Sequence, residues 1–349
     1  MGAGVVVEKV AIGTKSLRLH KAIHSAQFEM RSVLTTDPFD YVDLWLRRNG
    51  EDEALFYWRQ SKAFHQASQN LAIESAPLVL YYCFMNAAKA LLSSKGVTFD
   101  QHHGVRAHQM RGPRGKIVLS NEGILVKNSG IVPALSAYFL EPMLPNTHSL
   151  EDVLYNLVFI HRTYCLSYPS HKERFLPLKS VGFVRDDASC EVFLNAEPVD
   201  DANWSFFKRA LPSAVIANAD GSRGLQSARR IVWATNDKPT PHELDGLRSL
   251  NQELRRFFHY INGAQTLWYL KADHVRSIDR CPITLVLSAM HRLSEICRYK
   301  PSELNSFLSG PRNWLLSEFV RMSPQQFLDE IACEMTGQQL MIPNVRAPV

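Results

Sequence analysis

The sequence contains no pair of cysteines at CxxC spacing. Its six, Cys83, Cys165, Cys190, Cys281, Cys297 and Cys333, stand at wide, irregular intervals. That gives no support to a zinc site or a disulfide framework, and reads as free buried thiols in a reducing cytosol. The phosphate cradles GxxxxGK[ST] and GxGxxG are both missing, so nucleotide hydrolysis and dinucleotide binding lack their usual loops. No serine sits in GxSxG, and no local signature joins a cysteine to a histidine. The longest run without charge, residues 75–88, is too short to span a bilayer. Glu8 and Lys9 break the apolar start MGAGVVVEKV, which argues against a secretion signal, and Val6 occupies the position where myristoylation wants Ser or Thr. A soluble, cytoplasmic chain is expected, with a peripheral membrane contact left open.

What is present is ordinary globular composition. Of 349 residues, 46% are hydrophobic and 21% charged, which excludes a disordered or fibrous chain and suggests one large domain or two smaller ones. The net charge of +5 is too dilute to diagnose a nucleic-acid binder, although Arg outnumbers Lys by 25 to 14.

Local signals predict a helix-rich chain. Asp37-Pro38 opens a helix carrying Tyr41, Leu44 and Trp45, and Asn49-Gly50 stops it. A second helix runs from about Glu53 to Leu71. A third, from Ala76 to about Ser94, is apolar nearly all round and is therefore a central buried helix. Tyr82, Asn86 and Lys89 share one face of it, a buried polar stripe that needs partners. Residues 100–116 read as a basic loop and residues 115–128 as a hairpin around Asn121-Glu122-Gly123. Ser149 caps a helix through Leu154, Leu157, Ile160 and Tyr164. Residues 180–236 are strand-like. Thr240-Pro241-His242-Glu243 is a capping box opening a helix that closes at Asn262-Gly263. Residues 265–272 suggest a strand, residues 282–299 a helix, and residues 314–320 and 324–335 two more helices. The expected fold is mainly α with β (α+β). It has an N-terminal helical region over 1–175, a β-rich segment over 176–236 and a C-terminal helical region over 237–349, or one continuous domain.

Several blocks in order carry a family resemblance: DPFDYVDLW, FYWRQSKAFHQAS, SAPLVLYYCFMNAAKALL and HHGV, then LSAMHRLSEICRYKPSELNSFL, WLLSEFV and SPQQFLDEI. Together they resemble the YaaC-like proteins over most of the chain. The resemblance implies an N-terminal part similar to HEPN-type helical bundles. It also implies a role in antiphage loci, where one branch is the sensor of the two-gene Juk defence against nucleus-forming jumbo phages. The partners it implies are an effector protein encoded nearby and a phage protein or early-infection structure, with a homo-oligomer open. No cofactor is expected.

HEPN ribonucleases use Arg, a spacer of four to six residues, then His. Arg18/His24 and Arg59/His65 match, but roughly three matches arise by chance in a chain of this composition. Arg59/His65 is the better pair, and a HEPN-type RNA endonuclease is the alternative function. His102, His103 and His108 have only Asp100 as a nearby acid, so no metal site is expected. Arg106, His108, Arg111, Arg114 and Lys116 make a basic segment suited to RNA phosphates or anionic lipid headgroups, the second alternative. The leading expectation is a non-enzymatic recognition protein that detects a phage component and recruits an effector.

Overall fold

A computed structural model of the chain describes residues 7–112, 118–199, 203–218, 222–234, 238–263, 265–310 and 313–343. The fold is mixed α+β. The chain forms two compact units, each assembled from separated stretches of sequence.

The first unit combines residues 1–34, 175–275 and 337–349. Its centre is an antiparallel sheet in the spatial order Val215–Ala217, Leu225–Ser227, Glu191–Pro198, Phe175–Asp186, Leu267–Lys271 and Phe258–Ile261. Val7–Lys9 pairs with Phe175–Asp186, and Ile231–Val232 pairs with Glu191–Pro198. The β-rich character of 176–236 is therefore present, but the sheet also takes strands from both sides of that segment. The helix Pro241–Arg255 has the expected capping box: Thr240 accepts from the Glu243 backbone N–H while the Glu243 side chain reaches back to Thr240. That helix ends at Arg255, earlier than the Asn262-Gly263 signal suggests. Phe258, Tyr260, Trp268 and Leu270 are buried in the strand pair that follows, so the apolar period changes from helical to alternating at this point. They join one core with Phe28, Phe183, Trp233, Leu250 and Leu254. The returning C-terminal stretch packs tightly. A Cβ on Gly337 would lie 2.4 Å from the Ser25 carbonyl oxygen.

The second unit combines residues 35–174 and 276–336. The Pro38–Asn49 helix is capped as expected, Asp37 accepting from the Phe39 N–H and Gly50 closing it in the left-handed region. Its buried side chains are Phe39, Val42 and Leu46, whereas Leu44 is exposed. The helices Asp52–Ser68 and Ala76–Ser94 follow. The latter is central, packed by the helices Asp52–Ser68, Ile131–Tyr138, Pro282–Tyr299 and Asn313–Thr336. Phe84 on it stacks on Phe327 at 4.4 Å.

Four expectations in this unit need correction. The basic loop is partly a strand, Val105–Gln109, which pairs with Glu122–Val126, itself paired with Thr147–Ser149. The turn Asn121-Glu122-Gly123 is thus the start of a strand; a Cβ on Gly123 would lie 2.8 Å from the His148 carbonyl oxygen, so glycine lets the neighbouring strand close in. The Ser149-capped helix stops at Tyr155, and a 3₁₀ turn, Val158–Ile160, separates it from His161–Ser167. At the C-terminal end, Asn313–Thr336 is one helix with Pro324 inside it, and a further helix, Pro301–Ser309, precedes it. Proline removes one hydrogen bond, and a helix this buried keeps its course through packing. No helix among the described residues is long and apolar enough to cross a membrane.

Candidate functional site

The site lies within the second unit, on the Pro282–Tyr299 helix and the edge strand Val105–Gln109. Near the middle of that helix, His291, Arg292 and Glu295 fall within one turn, and His291 and Arg292 are buried. Arg292 donates to Glu122 on the neighbouring strand and, at 3.2 Å, to Glu295. Both side chains of the Arg292–Glu122 pair are almost wholly enclosed, at 5% and 1% exposure. Burial pushes the Glu295 carboxyl up, and Arg292 works against that.

Three rings meet beside this pair. Tyr81 of the central helix lies 5.0 Å from His291 and 5.3 Å from His103, and the two histidine rings are 5.2 Å apart. The Tyr81 hydroxyl is 2.5 Å from His103 Nδ1. Burial pushes His291 down to about 3, helped by His103, Arg292 and Lys127, so its imidazole is neutral at physiological pH. Burial also lowers His103, and it raises the Tyr81 phenol. Tyr81 and His103 are hydrogen-bonded, and His291 packs against both rings with its Nδ1 3.6 Å from the Glu295 carboxylate.

His103 is positioned by two glycines. The carbonyls of His102 and His103 accept from the first N–H groups of the Ile131–Tyr138 helix, those of Ile131 and Val132, at 3.0 and 3.2 Å. This close approach requires Gly130 at φ +112°, where an added Cβ would lie 2.5 Å from the Gly104 Cα. Gly130→Ala is expected to cost about 2–3 kcal/mol, from strain in a glycine-only backbone region together with the clash. A thermal melt with a near-ultraviolet dichroism spectrum reads both the loss and the disturbance at Tyr81. An unchanged melt would mean the contact carries no strain.

A cavity of about 510 Å³ opens alongside the C-terminal half of the helix, lined by Ala107, His108, Gln109, Gly112, Arg292, Glu295, Tyr299 and Lys300. Lys300 also pairs with Glu303 at 3.2 Å. At the other end of the same helix, Glu141 accepts from the Cys281 N–H at 2.7 Å and pairs with Arg280, both side chains 3% exposed. Arg280 also holds Ser136 and the Pro145 carbonyl. Over this internal strap the connecting loop carries Leu140, Met143 and Leu144 outward, at 67%, 53% and 73% exposure.

The expected site residues are placed as follows. Arg59 is exposed and bound to Asp43 at 2.7 Å. His65 packs on Phe39 and meets Gln69 at 3.1 Å. Six residues apart on one helix, they are about 120° apart around the axis and about 9 Å along it, so within one chain they do not converge. Asn86 donates to the Tyr82 carbonyl, and Lys89 donates to Gln101 at 2.8 Å over the Tyr57 ring. Asn86 and Lys89 are thus satisfied locally, and the half-buried Tyr82 ring stacks on Phe64 at 5.5 Å. Arg106 and Arg111 are exposed and His108 reaches the cavity, while Arg114 and Lys116 lie outside the described residues. Among the described residues no group of histidine, cysteine and acidic side chains is placed to hold a metal ion.

Tyr81, Glu122, His291, Arg292 and Glu295 escape the sequence reading. Their signal is there: His291, Arg292 and Glu295 within one turn after the apolar stretch that opens the helix, and one acid, Glu122, in an apolar strand.

No curated protein and no solved structure matches the chain. The family model described as YaaC-like Protein matches residues 21–335. That span takes in both arms of the helical unit, the central helix with Tyr81 and the helix with Arg292 and Glu295, and nearly all of the chain: it belongs to the YaaC-like family.

Proposed function

We propose that this protein is a non-enzymatic recognition component of bacterial antiphage immunity, which detects a phage component and engages a partner effector protein. The observation that carries the reading is the loop bearing Leu140, Met143 and Leu144. Three large apolar side chains face solvent from a base fixed by the buried Arg280–Glu141 pair. Large apolar side chains exposed together on one loop suit a partner surface, and a rigid base lowers the entropy lost on docking. The charged groups near the cavity are already paired with one another, which suits holding a ligand better than moving protons. The antiphage role is what the resemblance to YaaC-like proteins implies. In this reading the helical unit is a HEPN-like bundle, and the protein works in the cytoplasm as the sensor of a Juk-type pair.

Plaque counts across a phage panel that includes nucleus-forming jumbo phages test it. Cells carry this gene, its genomic neighbour, both or neither. Protection only with both genes, lost in Leu140→Asp/Leu144→Asp without loss of protein level, is the expected result. Protection by this gene alone would overturn effector recruitment and return weight to a built-in nuclease. No protection in any arm would remove the defence role.

A further inference from the structure

We propose that the cavity alongside the C-terminal half of the Pro282–Tyr299 helix binds a guanine nucleotide, with Glu295 reading the base edge. The cavity volume, about 510 Å³, falls in the range of small-molecule sites. Its carboxylate, Glu295, is held in place. One carboxylate oxygen, Oε2, is held by Arg292 at 3.2 Å, and Arg292 is anchored in turn by the buried Glu122. The Glu295 side chain stays 27% exposed on the cavity wall. A carboxylate offers about four lone-pair positions, so this one keeps free acceptor capacity in a fixed orientation.

An ionised carboxylate only accepts, so it selects a ligand edge with two donors side by side. Guanine presents N1–H next to its amino group. Adenine and cytosine set an amino group next to a ring acceptor, which the carboxylate repels. Uracil has one N–H between two carbonyls.

The remaining lining fits the rest of such a ligand. Tyr299 is 67% exposed at the rim, with Arg298 5.0 Å behind its ring, and offers a face for stacking. His108 and Gln109 line the opposite wall from the edge strand. Lys300 supplies a cation for a phosphate, and the exposed Arg111 next to Gly112 supplies a second. The nucleotide site goes beyond the recognition function proposed above and shares with it only the helical unit.

Titration calorimetry on the purified full chain with GMP, AMP, CMP and inorganic phosphate tests this. GMP is expected to bind, with AMP and CMP at least about 30-fold weaker. Glu295→Gln is expected to weaken GMP by a similar factor. Because that change also removes half of an ion pair, Tyr299→Ala at an exposed position serves as the second variant, with about a tenfold loss. Absence of GMP binding at millimolar concentration, equal binding of AMP, or phosphate binding as tightly as GMP would each overturn the assignment. The measurement contains no phage and no effector, so its failure removes the nucleotide and leaves the plaque result standing. Lost protection with GMP still bound would do the reverse.

Discussion

Replacing Arg292 with methionine is expected to destabilise the helical unit by about 3–5 kcal/mol, the range for removing one partner of a buried ion pair. The cause is what remains. Glu122 is 1% exposed and takes its charged hydrogen bond from Arg292. Methionine fills much of the arginine's volume, so loss of packing is a minor part of the effect. The double variant Arg292→Met/Glu122→Leu removes both charges and is expected to recover most of the loss, since an apolar pair of similar volume has no desolvation to offset. Urea unfolding of the wild type, both single variants and the double variant measures the coupling directly. A double variant no more stable than Arg292→Met alone would mean that the uncompensated charge is not the cause. Arg292 also orients Glu295, so the same substitution is expected to abolish GMP binding, whereas Glu122→Gln leaves the Arg292–Glu295 contact in place and is expected to weaken it less.

How much of this was readable in the sequence follows from the range over which each signal acts. Helix caps are local chemistry, and Asp37-Pro38, the Ser149 cap and the Thr240–Glu243 box all appear where the residues place them. The central helix was legible because its apolar positions go all round, which only a buried helix tolerates. The failures are tertiary. Tyr260 and Phe258 read as the end of a helix face until the pairing with Trp268 and Leu270 makes them strand residues. Pro324 reads as a helix start because local rules cannot include the packing that carries the helix through it. The sheet unit joins residues 7–9, 175–186 and 258–271, separations that no local pattern encodes. For the same reason the sequence offers His102, His103 and His108 only as neighbours on one segment. That His103 meets Tyr81 and His291, and that Lys300 shares a cavity with His108, depends on strand and helix arriving together. Arg59 and His65 illustrate the opposite case: a motif at allowed spacing whose members the helix turns apart.

Lowering the pH from 7 to 5.5 is expected to remove about 2–3 kcal/mol of stability from each unit, through histidines held neutral by burial. In the helical unit these are His291, pushed down to about 3, and His161, pushed down to about 4. In the sheet unit they are His20, pushed down to about 3 by burial with Lys15, Arg255 and Lys21 nearby, and His259, which burial, Lys271 and Arg255 hold well below the usual range. The hydrogen bonding of His20 agrees. His20 Nδ1 accepts from the Ala22 backbone N–H at 3.0 Å, which requires that nitrogen to be unprotonated. Each of these groups binds a proton more readily in the unfolded chain, near pH 6.5, than in the folded one. The unfolded state therefore holds more protons between the folded value and 6.5, so stability is full above pH 6.5 and falls as the pH drops through that window. The slope approaches about 1.4 kcal/mol per pH unit for each histidine, and the loss at pH 5.5 is about 1 kcal/mol each. Asp43 and Glu243 are lowered from the ordinary carboxylate range, so their contributions are lost only at lower pH. Glu295 is raised, so its sign is opposite and it offsets a small part of the loss in the helical unit. Urea midpoints at pH 7.0, 6.0 and 5.5 give the slope. His291→Gln, which keeps a polar side chain beside Tyr81 and His103 but cannot titrate, is expected to flatten it by one histidine's share, about 1 kcal/mol over the interval. An unchanged slope in His291→Gln would show that the imidazole already carries its proton in the folded protein. The neutral cluster beside Arg292 would then have to be replaced by a charged one.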